Sequence, residues 1–216
     1  MDFFRRDRET DFSMPKNVIR YQPVEMIEKF ISFDTTSRDS NLPLISFIGD
    51  YLAQFDIKPE LFPNASRDKA NLFARIGPNK PGGIILSGHT DTVPVDGQDW
   101  STDPFRLSET DGRLYGRGTV DMKGFLAICT ALAPEFHEAD LKEPIYIAMS
   151  YDEELGCLGV PSLISSLAAL PEKPRACIVG EPTGMEVVMA HKGVNVFKTV
   201  VCGHEAHSSQ TDQGVS

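Results

Sequence analysis

Short apolar segments that alternate with helical stretches are the feature that most limits how this chain can fold. Four of these segments are predicted as buried strands, because each is short and bounded by glycine, proline or aspartate: Asn71–Ile76, Gly83–Ser87, Pro144–Tyr151 and Ala176–Val179. Two of the intervening stretches, Met122–Phe136 and Val160–Leu170, carry apolar residues at helical spacing. Strands that alternate with helices predict an α/β domain with a largely parallel sheet.

Two further helices are predicted before the first strand. One opens at Gln22-Pro23, since proline suits the first helical turn, and the other follows Asn41, which we expect to cap it. Their inward residues are expected to be Val24, Ile27, Phe30 and Ile31 in the first helix and Leu44, Ile45, Ile48, Leu52 and Phe55 in the second.

Composition and charge exclude several classes of function. The net charge of -10 repels a phosphate backbone, so nucleic acid is not an expected partner. Apolar runs fall far short of the roughly 20 residues that a membrane helix needs, and the charged Met1–Ser13 does not resemble a secretory signal. Four cysteines without C-x-x-C spacing indicate reduced thiols. We therefore expect a cytoplasmic protein with no membrane partner.

Ionisable residues follow the predicted strands. His89 and Asp91 come after the second strand and share one side of an extended segment, which suits either a metal ligand held by a carboxylate or an ordinary surface turn. Asp121 precedes a helix and could simply be its N-cap. The glycine pair before it lacks the third glycine of a dinucleotide-binding loop, which argues against a Rossmann site.

Carboxylates also follow the third and fourth predicted strands. Asp152, Glu153 and Glu154 stand in a row and would repel one another unless a cation or solvent relieved them. Glu181 adds one more carboxylate after the last strand. One imidazole with several carboxylates at successive strand ends predicts a divalent metal site of the zinc, cobalt or manganese kind. Two ions about 3.5–4 Å apart could clamp a hydrolysis there, with a spare glutamate as general base.

Longer motifs resemble the dinuclear zinc amidohydrolases, a family that includes acetylornithine deacetylases, desuccinylases, aminoacylases and glutamate carboxypeptidases. The motifs occur in order over Ile19 to Ser216: Ser87–Pro94, Trp100–Phe105, Gly116–Gly124, Asp152–Glu154 and Gly180–Thr183. Segments Ser150–Gly159, Ala190–Gly193 and Ala206–Ser209 resemble the acetylornithine deacetylase branch. The resemblance implies hydrolysis of the N-acetyl amide of N2-acetyl-L-ornithine, a step of arginine biosynthesis. Related N-acyl amino acid deacylases, the desuccinylase and zinc carboxypeptidases are the alternatives.

The resemblance also implies roles for particular residues. His89, Asp121 and Glu181 would bind one Zn2+ ion, Asp121 would bridge to a second, and Glu154 would bind that second ion, with Co2+ as a possible substitute. Asp91 would orient His89, and Glu153 would act as general base. His207 would stabilise the oxyanion in the partner subunit's site. A cis peptide after Asp121 is also common in the family.

The same resemblance implies the domain organisation. We expect a loose N-terminal arm over residues 1–18, a metal-binding catalytic domain over residues 19–188, and the start of a lid and dimerisation domain over residues 189–216. The catalytic domain should have a mostly parallel mixed sheet with helices on both faces. The lid should be α+β and should form a homodimer. Its first strand is predicted over Val194–Cys202, a segment that alternates weakly between apolar and polar residues and lies between Gly193 and Gly203.

One departure from the family pattern leaves a second hypothesis open. Family members are longer and carry a further histidine ligand near their C-terminus, and His137, His191 and His204 do not match its motif. We therefore expect weak metal binding at the second site and low turnover in this chain. The alternative is a non-catalytic fragment that binds metal weakly or only associates with partner chains.

Overall fold

The computed structural model describes residues 18–170, 173–193, 195 and 197–215. The predicted N-terminal arm therefore lies outside the described residues, except for Val18. The chain divides into two compact units, Met1–Pro182 and Thr183–Ser216. The assignment of these parts to a catalytic and a lid domain stays a prediction.

In the described part of the first unit, two helices and five strands come first, and helices and strands then alternate. The helices are α1 (Pro23–Ser32), α2 (Leu42–Ala53), α3 (Lys123–Glu138) and α4 (Val160–Ala169), and the strands are β1 (Glu60–Pro63), β2 (Ala70–Ile76), β3 (Ile84–His89), β4 (Ser108–Thr110), β5 (Arg113–Tyr115), β6 (Ile145–Ser150) and β7 (Ala176–Val179). No helix in the described part of the chain combines the length and the apolar character that crossing a membrane requires.

The main sheet is mixed. In the described part of the chain its order is β1-β2-β6-β3-β7, and β4 and β5 form a separate hairpin. Strands β6, β3 and β7 run parallel, whereas β1 and β2 are antiparallel to their neighbours. Register pairs His89 with Ser150 and Leu72 with Met149, so the start of β2 lies beside the end of β6. The predicted α/β class with a mixed sheet is confirmed.

Helices cover both faces of this sheet. Helices α1, α2 and α3 enclose the larger core on one face, where Phe30, Ile48 and Leu126 are fully buried against Leu72 and Ile147. Helix α4 covers the other face, where the buried residues are Phe73, Ile85, Tyr146, Ala148 and Leu163. The central strands β2, β6 and β3 are covered on both faces, so they are apolar on both sides and lack the alternation of a half-exposed sheet, whereas the edge strands β1 and β7 are mostly exposed.

The first two helices begin as predicted, but two details of that prediction are wrong. In α1, Val24 is half exposed and Met26 takes its place in the core, because position 26 falls on the same helical face as Phe30. Asn41 occupies the N-cap position of α2, as predicted, but its side chain makes no capping hydrogen bond there. Its amide instead donates to the carbonyl of Ala70 at 2.9 Å and accepts from the Ala70 N–H at 3.0 Å.

Sequence patterns located four strands and missed three. Strand β7 has the predicted bounds, and β2, β3 and β6 differ from prediction by one or two residues. Strands β1, β4 and β5 were not predicted, because they are three or four residues long and mostly exposed, so they show no apolar pattern.

The second unit, Thr183–Ser216, has little regular structure among its described residues. It contains a bridge between His204 and Val215 and a short 3₁₀ turn at Thr211–Gln213. The strand predicted over Val194–Cys202 is wrong for the residues described there, none of which is in a strand. A strand needs a neighbouring strand to pair its backbone groups, and weak alternation alone does not supply one.

Candidate metal centre

The carboxyl ends of the three parallel strands bring the ionisable residues together. His89 is the last residue of β3, Glu153 and Glu154 follow β6, and Glu181 follows β7 by two residues. Asp121 stands two residues before α3. Functional groups of open α/β sheets gather at this edge, because the loops that follow parallel strands all emerge there.

His89 is almost fully buried and its ring is held from one side. Its Nδ1 lies 2.9 Å from the backbone oxygen of Asp91 and 3.5 Å from Oδ1 of the same residue. Since Nδ1–H donates to that carbonyl, the other ring nitrogen, Nε2, is directed toward the carboxylates. This is the orientation in which a histidine offers Nε2 to a metal ion.

Three carboxylates surround the Nε2 of His89. The Asp121 Oδ1 lies 3.0 Å from it, the Glu181 Oε1 3.5 Å and the Glu153 Oε2 3.9 Å. Among the described residues, two groups of three could hold a metal ion, one with His89, Glu153 and Glu181 and the other with His89, Asp121 and Glu154. The resemblance implies a different allocation, with Asp121 beside His89 and Glu181, so the assignment of ligands stays a proposal.

The carboxylate of Asp91 is buried and organises the loop after β6. Ser37 donates its hydroxyl to Oδ2 at 2.9 Å. The backbone N–H groups of Glu153 and Glu154 donate to Oδ1 and Oδ2 at 3.1 and 3.2 Å. Asp91 therefore supports both sides of the centre, the imidazole through its backbone and the glutamates through its carboxylate.

The electrostatics of the centre are those of an uncompensated negative cluster. Burial lowers the pKa of His89, but the hydrogen bond and charge of Asp91 and the charge of Glu181 outweigh it and raise the pKa to about 9. Burial raises the pKa of Asp91, yet hydrogen bonds from His89 and from the Glu153 amide bring it below its usual range. The pKa values of Glu154 and Glu181 are raised, first by burial and then by neighbouring Asp121 and Glu153, against the opposing charge of His89.

The donor set fits a divalent cation. Imidazole nitrogen and carboxylate oxygen are the ligands of zinc, cobalt and manganese sites. Asp91, Asp121, Glu153, Glu154 and Glu181 place five carboxylates around one imidazole, and burial and neighbouring carboxylates raise the pKa values of Glu154 and Glu181.

Two glycines allow the backbone to approach closely enough to build this arrangement. A Cβ at Gly124, in the first turn of α3, would lie 2.1 Å from the carbonyl oxygen of Thr119. A Cβ at Gly180 would lie 2.1 Å from the ring of Phe125. Without side chains at these positions, the loop that carries Asp121 folds against α3, and the residue before Glu181 packs on the Phe125 ring.

Six of the seven predicted site residues lie together here: His89, Asp91, Asp121, Glu153, Glu154 and Glu181. Asp121 makes no cap for α3, whose N-cap position is Met122, and the cis peptide expected after Asp121 is present. His207 belongs to the second unit, where its Nδ1 lies 2.8 Å from the hydroxyl of Ser209, so its role stays a prediction.

Sequence reasoning missed two residues that support the centre, Ser37 and Lys69, and assigned a third, Asn41, only as a helix cap. Ser37 and Lys69 show no apolar period and no metal-ligand spacing, so no local pattern marked them. One signal was available at Ser37, since Thr35, Thr36 and Ser37 are consecutive hydroxyl residues just after α1. All three are buried, and backbone bonds join this segment to Thr92.

Known proteins resemble this chain over much of its length. Residues 85–209 match the model of Peptidase family M20/M25/M40. Curated relatives named acetylornithine deacetylase include those of Pasteurella multocida (38% identity over 86% of this chain and 48% of the relative), Edwardsiella ictaluri (36%, 94% and 52%) and Buchnera aphidicola (34%, 89% and 51%). The chain spans about half the length of the curated relatives it matches.

Solved structures share the fold. Human carnosine dipeptidase 1 superposes with a TM-score of 0.62 at 23% identity, over 73% of this chain and 38% of that protein. The M20 family metallo-carboxypeptidase Sso-CP2 from Sulfolobus solfataricus gives 0.64 at 18% identity, over 74% and 37%. The family model covers more than half of the 216 residues, including every strand-end residue of the centre. This chain belongs to Peptidase family M20/M25/M40.

Proposed function

We propose that this chain provides the metal centre of an enzyme that hydrolyses the N-acetyl amide of N2-acetyl-L-ornithine to L-ornithine and acetate. The observation that carries the proposal is the meeting of one buried imidazole with carboxylates from three loops, within 3.0–3.9 Å of its Nε2. The choice of substrate rests on curated relatives that are named acetylornithine deacetylase and are 34–38% identical to this chain. The place in arginine biosynthesis follows from the same substrate.

Within this proposal, His89, Asp121 and Glu181 would be ligands of one Zn2+ ion, and Asp121 and Glu154 would be ligands of the second. When bound, the two ions supply positive charge that polarises the acyl carbonyl and makes water a better nucleophile. The chain's own part is to present the ligands. Nδ1–H of His89 is committed to the Asp91 carbonyl, so Nε2 loses its proton when it becomes a ligand.

Glu153 is the proposed general base. Its Oε2 lies 3.9 Å from the His89 Nε2, so the carboxylate faces the centre while remaining partly open to solvent. Glu153 takes a proton from the attacking water as the bond from water oxygen to carbonyl carbon forms. It then gives that proton to the amine nitrogen as the amide C–N bond breaks, which releases acetate and L-ornithine.

Two further roles complete the proposal. Asp91 keeps the imidazole in one orientation and holds the amides of Glu153 and Glu154, as its contacts support. His207 is proposed to stabilise the developing oxyanion in a partner subunit of a cytoplasmic homodimer, a role that rests on the resemblance of its motif alone.

Alternative substrates keep the same chemistry. A related N-acyl amino acid deacylase, succinyl-diaminopimelate desuccinylase or zinc carboxypeptidase would use the same centre with a different acyl or amino acid group. The structural neighbours support the shared fold and do not favour one of these substrates. A fragment that binds metal without turnover is the remaining alternative.

The test compares the 216-residue chain with Glu153→Gln, using zinc content by mass spectrometry and ornithine release from N2-acetyl-L-ornithine. We expect Glu153→Gln to keep zinc and to lose ornithine release by about 100-fold or more, which is the usual contribution of a general base. Glu109→Gln in the exposed hairpin is the matched control and should match the parent chain.

Three outcomes would contradict parts of the proposal. Absence of bound zinc in the folded parent chain would remove the metal centre. Zinc without release of ornithine, but with release from another N-acyl amino acid, would replace the substrate. Equal turnover by Glu153→Gln and the parent chain would remove Glu153 as the base.

A further inference from the structure

A buried lysine, Lys69, lies outside the metal centre and is linked by hydrogen bonds to residues that hold the centre. Lys69, which directly precedes β2, donates from Nζ to the carbonyl oxygen of Ser37 at 2.5 Å and to Oδ1 of Asp152 at 2.5 Å. Both partners of the ion pair are largely buried. A buried ammonium is stable only with such partners, because it has left the hydration of bulk water.

The sheet directs Lys69 to this place. Strand β2 runs antiparallel to β6, so the residue before β2 lies beside the residues that follow β6. Asn41 holds the neighbouring Ala70 by both of its backbone groups, and the Lys69 N–H donates to Oδ1 of Asn64 at 3.2 Å. The backbone of Lys69 is thus restrained on both sides, and its side chain reaches the loop after β6 from a defined position.

Asp152 connects Lys69 with the two glutamates. Its φ of 56° is in the left-handed region, so the chain turns sharply between β6 and Glu153. The N–H of Leu158 donates to the Asp152 carbonyl at 3.0 Å and that of Cys157 to the Glu153 carbonyl at 2.9 Å, which closes the turn. The ion pair with Lys69 therefore anchors the first residue of the segment that carries Glu153 and Glu154.

Asp91 closes the ring from the opposite side. Its carboxylate accepts hydrogen bonds from the Ser37 hydroxyl and from the amides of Glu153 and Glu154, while the Ser37 carbonyl accepts one from Lys69 Nζ. The "Lys69 ring" consists of Lys69, Ser37, Asp91, Asp152 and the backbone of Glu153 and Glu154. In the described part of the chain, the hydrogen bonds that hold these two glutamates are mostly on their backbone, so the ring sets where their carboxylates stand.

We infer that Lys69 is a positioning residue for the metal centre: by tying Ser37 to Asp152 it holds Glu153 and Glu154 in place. This inference rests on the proposed function for its consequence on metal binding, and on the contacts alone for its consequence on the loop. Lys69 contacts neither Glu153 nor Glu154 directly; its effect passes through Asp152 and through Ser37 and Asp91.

The experiment uses Lys69→Met, which keeps the length of the side chain and removes its charge, with the exposed Lys58→Met as the matched control. Hydrogen exchange of the metal-free chain is measured by NMR. We expect the amides of Glu153 and Glu154 to exchange at least about tenfold faster in Lys69→Met, with amides in β3 and α3 changed less than about twofold. Zinc affinity, measured by competition with a chromogenic chelator well below the unfolding temperature, should fall about 10- to 100-fold.

A merely structural lysine would give a different pattern. It would lower the unfolding midpoint and speed exchange throughout β2 and β6 without singling out Glu153 and Glu154, and the folded variant would bind zinc like the parent. Unchanged exchange at these two amides overturns the inference. If Lys69→Met does not fold, Asp152→Asn removes the same ion pair from the other end. Hydrogen exchange and zinc affinity are then measured on Asp152→Asn and interpreted in the same way.

The two proposals fail separately. If the parent chain binds no zinc, the proposed function fails, and the exchange measurement still decides whether Lys69 holds the loop. If the parent binds zinc and Lys69→Met binds it equally well, the positioning role fails and the metal centre stands.

Discussion

The proposed metal centre has two halves that are built differently. The histidine half is closed to solvent, with side chains of His89 and Asp91 only 2% and 3% exposed. The carboxylate half is open, with Asp121 49%, Glu153 36% and Glu181 39% exposed. The first is held by hydrogen bonds to the fold, whereas the second consists of partly exposed carboxylates, among which Glu153 is held by Asp91 through its backbone N–H.

The difference has a simple physical meaning. A buried imidazole with a defined partner has already lost its rotamer freedom, so little further ordering is needed when it binds an ion. Exposed carboxylates keep rotamer freedom and hydration, and they repel one another until a cation arrives. We therefore expect the histidine half to control both folding and metal affinity, and each carboxylate to control mainly affinity.

Removing the imidazole should have the largest effect. Both groups that could hold an ion include His89, so His89→Ala should lower zinc affinity by at least about 100-fold, the upper end of what loss of a supporting residue costs. Isothermal titration with the exposed His137→Ala as control measures it. Retention of parent-like affinity by His89→Ala would show that the carboxylates bind zinc without the histidine half.

The pH dependence of the metal-free chain should come next. The pKa of His89 is raised from its ordinary 6.5 to about 9, so its contribution to stability is complete below about pH 6.5 and is lost as pH rises through about 9. The excess of interest is the free energy of unfolding of the parent minus that of His89→Ala. This excess should therefore fall by about 3 kcal/mol between pH 6.5 and 9.5. Urea unfolding with a chelator present measures it, and an excess that rises with pH would contradict the sign.

Replacing a single carboxylate should have the smallest effect. It should weaken zinc binding without weakening the stability of the metal-free chain. Glu181→Gln should weaken zinc binding by about tenfold, because one charged ligand is lost, yet leave the metal-free chain as stable as the parent or slightly more so. The reason is that burial and then neighbouring charges already raise the pKa of Glu181. Zinc titration and urea unfolding, with Glu28→Gln on the solvent face of α1 as control, test both signs. Marked destabilisation of the metal-free variant would show that Glu181 has a structural role.

Much of the fold could be predicted from local patterns, and the failures have local causes. Strands β2, β3 and β6 were found because both of their faces are covered, which gives short apolar runs. Strand β7 was found from its apolar residues, although all four of them are exposed. Asn41 was assigned as a helix cap because its position before Leu42-Pro43 suits one, yet its amide binds the backbone of Ala70, 29 residues away. Val194–Cys202 was assigned as a strand from weak alternation, and alternation does not supply the neighbour that a strand requires.

The sequence by itself determined which chemistry this chain could carry. It places His89, Asp91, Glu153, Glu154 and Glu181 directly after strands, and parallel strands end at one edge of a sheet, so their proximity could be inferred without coordinates. Only the tertiary structure decided how those residues are held. Lys69 reaches Asp152 across 83 positions because β2 runs antiparallel to β6, and that direction depends on the pairing of whole strands. A strand's apolar pattern is local, whereas its neighbour and direction are properties of the assembled sheet.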